Sequence, residues 1–432
     1  MGGIMGLCQE WNSLLPLEKG LFQLQHLGQG FGGLAIQTEK KGIIAKSFRG
    51  LIKANSQFFQ GESCSLAIGH VSIREPQPFF AYTKIGEVAV VFSGNIFNFQ
   101  EIRNKLLADG QIFISDYSIE VFLKLIAQKN DPVAGLRYIA EEVKGGFSII
   151  LLAPEGIFVM RDPFGFSPLI IGQGLYGCAV ASESTAFKKN DMEIIRDVRP
   201  GEIIFLEKQG FSTVDQIPVE RLAFDTFFWV YTSRIDAIAE GISSKKVRNN
   251  LGAALARHDN IEADIVAPVP MSGIGCAQGY HRASGIFYED VFYYNRYSDR
   301  SYLPLEQTKR DSIAEEKLSL INEAIAGRRI VLIDDSIVRG TQLRKLVMRL
   351  KAAGAKEIHV RISAPPLIAP CKYNVSTRSY EELIALKHSV EEIRRMLGAD
   401  TLRYNTIEDL VAAVGLPANH LCLACWTNEY PL

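Results

Sequence analysis

Short apolar runs separated by turn residues occupy residues 31–215 of this 432-residue chain. Examples of these runs are GGLAIQT, GEVAVVFSGNIF, GGFSIILLAPEGIFVM and GEIIFLE. Runs of this length, bounded by glycines, are typical of antiparallel strands, and the segments between them predict helices over residues 99–109 and 118–129. The pattern therefore predicts a layered α+β domain in the first half of the chain.

The pattern changes beyond about residue 225, where single apolar strands alternate with helical segments. The alternation runs through IVAPVP, AQGYHRASG, IVLIDDS, TQLRKLVMRLKAAG and EIHVRISAPP. It predicts a parallel, doubly wound α/β sheet, which binds ligands at the carboxyl ends of its strands. We therefore predict one domain over residues 1–224 and a second over residues 225–432. No low-complexity linker separates them, so we expect an extensive interface.

The second half contains a strand, an acidic loop and a helix in direct succession. Residues 330–333 are predicted to form a buried strand, Asp334 and Asp335 follow it, and a helix is predicted to begin at Thr341. A loop in this position presents free backbone N–H groups and the positive end of the helix dipole, which together hold a phosphate. Gly340 allows the backbone to approach the anion closely.

The side chains of this loop suit a phosphorylated sugar. Asp334 and Asp335 can accept hydrogen bonds from a vicinal diol and can help to place a hydrated Mg²⁺ ion, while the hydroxyls of Ser336 and Thr341 can donate to phosphate oxygens. An isolated Asp-Asp pair is more typical of an ordinary strand end, but the whole string VLIDDSIVRGT favours the sugar-phosphate site. The predicted binding residues are Asp334, Asp335, Ser336, Ile337, Val338, Arg339, Gly340 and Thr341.

Composition and charge exclude several classes of function. The 47 basic and 48 acidic residues are mixed along the chain, and the formal net charge is −1, so we expect no binding to nucleic acid or to anionic membranes. The N-terminus lacks a secretion signal, and no run of about twenty apolar residues occurs, which predicts a cytoplasmic protein. In that compartment the seven cysteines are expected to be thiols or metal ligands rather than disulfides.

Segments along almost the whole chain resemble, in the same order, those of the glutamine phosphoribosyl pyrophosphate (PRPP) amidotransferases. Those that carry the resemblance include VKGGFSIILLAPEGIFVMRDPFG, RDVRPGEI, DIVAPVPMSG, VLIDDSIVRGT and PCKYNV. The resemblance implies an N-terminal nucleophile (Ntn) glutaminase-type αββα domain, which releases ammonia. It also implies a type I phosphoribosyltransferase domain with a parallel sheet, which adds that ammonia to PRPP in the first step of purine synthesis. A homodimer or homotetramer is implied as well.

The cysteine that this resemblance implies is missing from its position. The family's mature chain begins with a cysteine whose thiolate attacks the glutamine amide, with the free α-amine as its base. Met1-Gly2-Gly3-Ile4 stands where Met-Cys-Gly-Ile is expected, and glycine cannot be a nucleophile. Cys8 lies in a different register and is predicted to be a packing residue. We therefore predict no catalytic residue in the glutaminase-type domain.

The glutamine pocket departs from the family pattern at further positions. Ser72 stands where an arginine holds the substrate carboxylate, and Ser118 stands where an aspartate holds its amine. Ser93 replaces the asparagine of the oxyanion loop beside Gly94, and Leu27 replaces an arginine. The two lost charged contacts are each worth about 1.5–3 kcal/mol. We expect no glutaminase activity, and a domain that persists as a scaffold or binds another ligand.

The transferase half departs less from the family pattern. Met271 stands where the pyrophosphate-binding turn has an acid, Tyr294 replaces a lysine of the flexible loop, and Glu315 replaces an arginine. Departure of pyrophosphate needs positive charge beside the developing anion, so we expect weakened turnover at a site that still binds PRPP. The retained candidates for PRPP contact outside the acidic loop are Ser272, Arg296 and Arg300.

Some members of the family carry a [4Fe-4S] cluster bound by four cysteines, and three of these are present. They are Cys371, Cys422 and Cys425, while the fourth position falls at Asp225. A carboxylate can ligate iron, although a soft cluster prefers sulfur. Three interpretations remain open: an iron–sulfur cluster, a zinc site with Asp225 as the fourth ligand, and three reduced thiols.

Two functions are compatible with these residues. The first is a transferase that binds PRPP and Mg²⁺ and adds ammonia or another small amine without using glutamine. The second is a regulatory paralogue that binds PRPP or a nucleotide and catalyses nothing, which Met271, Tyr294 and Glu315 favour. A working glutamine-dependent enzyme would need a nucleophile at Gly2.

Overall fold

The computed structural model describes residues 2–55, 59, 61–295, 318–373, 377 and 379–431. Thirteen strands lie in the first half of this part of the chain. They are β1 Gly2–Gln9, β2 Phe31–Thr38, β3 Gly42–Arg49, β4 Leu66–Ser72, β5 Phe79–Thr83, β6 Gly86–Ile96, β7 Gly145–Ala153, β8 Gly156–Arg161, β9 Ile170–Gly174, β10 Gly177–Ala181, β11 Glu193–Asp197, β12 Glu202–Glu207 and β13 Gly210–Gln216.

These strands form two antiparallel sheets that pack face to face. One sheet has the order β11-β9-β10-β1-β4-β2-β3, and the other has the order β13-β12-β8-β7-β6-β5. Helices cover the outer faces, so both faces of the central strands are buried. In β7, for example, Ile149 and Leu151 pack towards the helices while Ile150 and Leu152 pack between the sheets. This double burial explains the continuous apolar run of that strand.

Five helices belong to the first half, and they complete the predicted four-layer αββα arrangement. The helices predicted over residues 99–109 and 118–129 are confirmed, each ending slightly earlier than predicted. None of the helices in the described residues combines the length and apolar character that a membrane-spanning segment requires. The helices of the first half are α1 Leu14–Gln23, α2 Ile52–Asn55, α3 Phe99–Ala108, α4 Ser118–Ala127 and α5 Pro132–Glu142.

The second half is built on a parallel sheet of five strands in the order β18-β17-β21-β22-β23, as predicted. Within the described part of the chain, the other strands of this half form short two-stranded sheets. The strands of this half are β14 Phe224–Asp225, β15 Ile238–Ala239, β16 Ile242–Ser243, β17 Ile265–Pro268, β18 Phe287–Tyr288, β19 Phe292–Tyr294, β20 Leu318–Leu320, β21 Arg329–Asp334, β22 Glu357–Ile362, β23 Thr401–Tyr404 and β24 Leu421–Cys422.

Helices cover both faces of this parallel sheet. Along β21, Val331 and Ile333 pack into one core and Ile330 and Leu332 into the other, which fixes the direction in which the end of the strand points. The helices of this half are α6 Ser244–Arg257, α7 Ile274–Ser284, α8 Asn322–Ile325, α9 Thr341–Ala352, α10 Ile384–Lys387, α11 Val390–Leu397, α12 Ile407–Val414 and α13 Ala424–Thr427.

The predicted boundary between residues 224 and 225 falls inside β14, which pairs in parallel with β24 near the end of the chain. The seam between the halves also contains a buried ion pair, in which Arg161 Nη1 lies 2.7 Å from Glu240 Oε1. Asp197 lies beside this pair, and burial, followed by the charge of Glu240, raises its pKa to about 6. The division at residue 224 remains a prediction.

Candidate functional site

The acidic loop lies where the sequence predicts it, at the carboxyl end of a central parallel strand. Strand β21 ends at Asp334, and helix α9 begins at Thr341. Gly340, just before the helix, has a φ of 74°, which glycine adopts at little cost. No side chain of the described residues caps this helix, so its first N–H groups remain available to an anion.

Asp334 and Asp335 form a pair of adjacent acids in this loop. Oδ1 of Asp334 accepts a hydrogen bond from the N–H of Asp335 at 2.9 Å, and Oδ2 of Asp335 accepts one from Ser336 Oγ at 2.5 Å. Burial raises the pKa of both carboxyls, and the charge of Asp335 raises the pKa of Asp334 further. Hydroxyl donors or a divalent cation would relieve this repulsion, so the pair fits a sugar diol or Mg²⁺.

The turn that follows β17 lies directly beside the acidic loop. Because β17 and β21 are neighbouring parallel strands, the N–H of Val269 donates to the carbonyl oxygen of Ile333 at 2.8 Å. The turn thereby brings Ser272 Oγ to 3.4 Å from Asp334 Oδ1. Met271, at the position where the resemblance implies an acid, is 59 % exposed.

Three of the predicted loop residues use their side chains for packing or anchoring. Ile337 is buried in the core beneath α9, and Val338 packs against the core on the other face of the sheet. The guanidinium of Arg339 forms an ion pair with Glu382. Ile337 and Val338 can therefore contact a ligand mainly through their backbone, whereas the acids and hydroxyls can contact it with their side chains.

The flexible-loop predictions fall largely outside the described residues. Arg296, Arg300 and Glu315 lie there, so their predicted roles stay predictions. The described strands on either side pair with each other, with Tyr294 opposite Leu318.

Arg248 on α6 is a buried cation that the sequence analysis missed. Its guanidinium donates to the carbonyl oxygens of Trp229, Tyr231 and Ser233 at 2.9, 3.1 and 2.7 Å, and the residue is 5 % exposed. Burial lowers the pKa of Arg248, and the charge of Asp335 opposes this shift. Arg248 therefore fastens the turn of π-helix at Phe228–Thr232 beneath the acidic loop.

In the first half, Gly2 occupies a position that has no room for a side chain. A Cβ atom there would lie 2.4 Å from His70 Nε2 and 2.6 Å from the carbonyl oxygen of Val71. Burial lowers the pKa of His70 to about 3, so this imidazole is neutral. Its Nδ1 has no hydrogen-bond partner within the described chain. A larger residue at Gly2 would therefore require the surrounding strands to shift.

The last part of β6 contains the glycine that the resemblance implies, but the polar side chains on either side of it are engaged within the chain. Gly94 has a φ of 134°, and a Cβ there would lie 2.0 Å from the carbonyl oxygen of Gly146. Ser93 Oγ donates to the carbonyl oxygen of Gly2 at 2.6 Å, and Asn95 Nδ2 donates to that of Lys372 at 2.6 Å. Asn95 thus connects the end of β6 to the segment that contains Cys371.

The two serines that replace the charged anchors lie near a carboxylate that the sequence analysis also missed. Ser72 Oγ donates to the carbonyl oxygen of Glu75 at 2.7 Å, and Glu75 Oε1 accepts from the N–H of Ser118 at 3.1 Å. Glu75 therefore lies at the N-terminus of α4, where the helix dipole favours an anion. The negative charge at Glu75 would repel a second carboxylate brought to the same helix end.

An enclosed cavity of about 20 Å³, large enough for one water molecule, lies beside the altered pocket. Its lining includes Gly2, Ser93, Asp225 and Tyr373. The altered pocket and the cysteine-bearing segments are therefore neighbours.

The four predicted cluster positions share one neighbourhood at the junction. Asp225 lies opposite Cys422 in the β14–β24 pair, and burial raises the pKa of Cys422 to about 12. Cys371 and Cys425 interact through their thiols, and that hydrogen bond raises the pKa of Cys425. Among the described residues, however, no three His, Cys, Asp or Glu side chains converge closely enough to hold a metal ion. The four positions are therefore neighbours in the described structure, but their side chains do not form a closed set of metal ligands.

Comparison with protein families and curated proteins assigns this architecture. Residues 63–189 match a family model described as a glutamine amidotransferase domain. The amidophosphoribosyltransferase of Archaeoglobus fulgidus is 36 % identical, with 100 % of this chain and 98 % of that protein aligned. The amidophosphoribosyltransferase of Bacillus subtilis is 35 % identical over 95 % of this chain and 90 % of its own length.

A solved structure agrees with these sequence matches. It is the glutamine PRPP amidotransferase from B. subtilis complexed with ADP and GMP, and it superimposes with a TM-score of 0.92. The alignment covers 99 % of this chain and 97 % of that one, at 34 % sequence identity. Both halves therefore have solved counterparts.

Proposed function

Because the chain belongs to the amidophosphoribosyltransferase family, we propose that it binds PRPP together with Mg²⁺ at the loop of residues 334–341. Its fold is that of an Ntn glutamine amidotransferase domain followed by a phosphoribosyltransferase domain. The observation that carries the proposal is the acidic pair Asp334 and Asp335 beside the uncapped N-terminus of α9.

Different groups of the loop hold the phosphate and the ribose of PRPP. The 5-phosphate is held by the N–H groups at the start of α9 and by the hydroxyls of Ser336 and Thr341. The carboxylates of Asp334 and Asp335 accept hydrogen bonds from the ribose hydroxyls. Mg²⁺ fits beside the acids and would offset the charge of the pyrophosphate. Ser272 contributes from the neighbouring turn.

We propose that the bound PRPP reacts with ammonia or another small amine supplied from solution. The amine nitrogen attacks the anomeric carbon while the bond to pyrophosphate breaks, and the attacking nitrogen then loses a proton. The second candidate, a regulatory paralogue that binds PRPP or a nucleotide without turnover, is favoured by Met271 at the pyrophosphate turn. The relative bound to ADP and GMP is compatible with either candidate.

The proposal includes the absence of glutaminase activity. Gly2 supplies no nucleophile, and Ser72 and Ser118 cannot replace the charged anchors that the resemblance implies. Ser93 lacks the side-chain amide that the resemblance implies for the oxyanion site, and its hydroxyl already donates to the carbonyl oxygen of Gly2. Glutamine should neither bind tightly nor release ammonia.

Calorimetry with PRPP and Mg²⁺ tests the binding site, and pyrophosphate release with ammonia or a panel of amines tests turnover. Binding with release supports the transferase, and binding without release supports the regulatory paralogue. Absence of affinity for both PRPP and nucleotides would reject the two candidates together. Asp109→Asn, on an exposed helix end far from the loop in sequence, is the matched control for substitutions of Asp334 and Asp335.

We propose that Cys371, Cys422 and Cys425 remain thiols, because no three candidate ligands converge among the described residues. Protein purified without oxygen is expected to be colourless and to contain no stoichiometric iron or zinc. Bound iron with visible absorption would instead support the cluster that the family resemblance implies at Cys371, Cys422, Cys425 and Asp225.

A further inference from the structure

A groove of about 760 Å³ opens at the junction of the two halves, and its lining shares no residue with the acidic loop or with the altered pocket described above. One wall is the turn before β12, a second is the segment that leads into β14, and the third is the 3₁₀ turn Ala418–His420 that leads into β24. Its volume lies in the range typical of small-molecule sites, about 300–1,000 Å³.

Two arginines give this groove a positive character. Arg199 and Arg221 are exposed on its walls, and neither guanidinium forms an ion pair or a side-chain hydrogen bond with the described part of the chain. The nearby Arg196 differs, since it forms a two-pronged ion pair with Glu202 at 2.7 Å. His420 adds a third nitrogen-bearing side chain, and Glu220 supplies the single acid of the lining.

The rest of the lining is largely apolar. Pro200, Val219 and Leu222 contribute aliphatic surface to the same lining, and Asn419 adds an amide. A ligand that matches both features needs acidic oxygens for the guanidinium groups and an apolar body for the aliphatic part of the lining.

We propose that this groove binds a small organic dianion, an aryl or heterocyclic compound that bears phosphate or carboxylate groups. Each planar guanidinium can donate two hydrogen bonds to one such group, and it can stack on an aromatic ring. Phosphate and carboxylate share this recognition chemistry.

A ligand bound in the groove would stabilise the junction between the halves. Two walls continue directly into β14 and β24, which pair through Asp225 and Cys422. A ligand that bridges these walls would hold the two strands together. The site is therefore placed to couple an anionic metabolite to the stability of the junction.

Calorimetry on the full chain with three probes tests the site: phenyl phosphate, phthalate and neutral benzamide. We expect saturable binding of at least one anion, weakened by salt, and none of benzamide. The double variant Arg199→Gln/Arg221→Gln should bind the anion about tenfold more weakly or worse. Arg395→Gln, which changes an exposed arginine on α11, should bind like the parent. The stronger of the two anions identifies phosphate or carboxylate as the preferred group.

A further variant separates this groove from the PRPP loop. Ser336→Ala/Thr341→Val should weaken PRPP binding while leaving the anion affinity of the groove unchanged. Unchanged melting temperatures and circular dichroism of the arginine variants would show that they fold, as expected for exposed positions. Equal anion affinity in the parent and in the double arginine variant, loss of that affinity in the loop variant, or no saturable binding of either anion would overturn the proposal.

Discussion

The acidic loop of the second half and the glutamine-type pocket of the first half differ in how their functional groups are assembled. The loop gathers a strand end, Gly340 and a helix start within one continuous segment. The pocket gathers Gly2, Ser72, Ser93 and Ser118 from four separate segments. Both lie on folds that match the B. subtilis enzyme closely.

This contrast shows that the fold of the relatives is retained although the residues at several pocket positions differ from those that the resemblance implies. The pocket depends on side chains, and replacing them leaves the two packed sheets intact, because the core of Ile149–Leu152 and its neighbours is untouched. The loop depends partly on backbone N–H groups, which substitutions other than those to proline leave in place. We therefore expect sites built on backbone geometry to outlast sites built on side chains.

The largest effect is expected when the two acids are removed from the loop that is proposed to bind PRPP. In the double variant Asp334→Asn/Asp335→Asn, the Kd for PRPP with Mg²⁺ should rise on the order of 100-fold, because two charge-assisted contacts are lost. Calorimetry measures this, with Asp109→Asn as the control. The unliganded variant should be at least as stable as the parent, since two buried acids that repel each other are neutralised. An unchanged Kd would remove the acids from the site.

A second way is to disturb the buried cation beneath the loop. Arg248→Met should lower the free energy of unfolding by about 3 kcal/mol, because three backbone carbonyls lose their donor. Urea denaturation measures this loss, and Arg257→Met, on an exposed position of the same helix, is the control. PRPP affinity should also fall, since the π-helical turn no longer supports the loop. Equal stability of the two variants would contradict the anchoring role.

A third test tries to restore the altered pocket. Gly2→Cys should produce no glutaminase activity and should destabilise the protein by about 1–3 kcal/mol, because the new Cβ meets His70 and Val71. Gly2→Ala should destabilise the protein similarly, which would assign the loss to the Cβ atom rather than to the thiol. Ammonia release from glutamine by a normally stable Gly2→Cys variant would show that the pocket is intact apart from its nucleophile.

The smallest expected effect concerns Asp197, which lies beside the Arg161–Glu240 ion pair between the two halves. The pKa of Asp197 is raised from 3.8 to about 6, so the folded protein binds more protons than the unfolded chain between these values. The free energy of unfolding contributed by this group therefore falls as the pH rises from about 4 to 6. Asp197→Asn should abolish this slope and add about 1–2 kcal/mol of stability at pH 7. Urea titrations across this range, with Asp109→Asn for comparison, measure it; an unaltered slope would contradict the assignment.

The sequence predicted the parts of the molecule that local pattern determines. The strand at Arg329–Asp334 and the helix at Thr341 follow from the apolar spacing of one continuous segment, and the parallel sheet follows from strand–helix alternation. The four-layer arrangement of the first half was implied by the family resemblance rather than by the spacing of residues.

The sequence did not predict features that depend on contacts between distant segments. Arg248 lies in an unremarkable helical stretch, and its role depends on carbonyls that only the π-helical turn presents to it. The absence of space at Gly2 depends on His70 from another strand. The sequence contains one weak signal that Arg248 is buried: its neighbours Val247 and Leu251 in the same helix are apolar.

The most direct test of a retained PRPP site beside an inactive glutamine pocket is one calorimetric experiment on a single preparation. PRPP with Mg²⁺ and glutamine are titrated separately into the full chain, and ammonia is assayed after the glutamine titration. We predict saturable PRPP binding, no glutamine binding and no ammonia release. Glutamine hydrolysis, or the absence of PRPP binding, would contradict this division of the molecule.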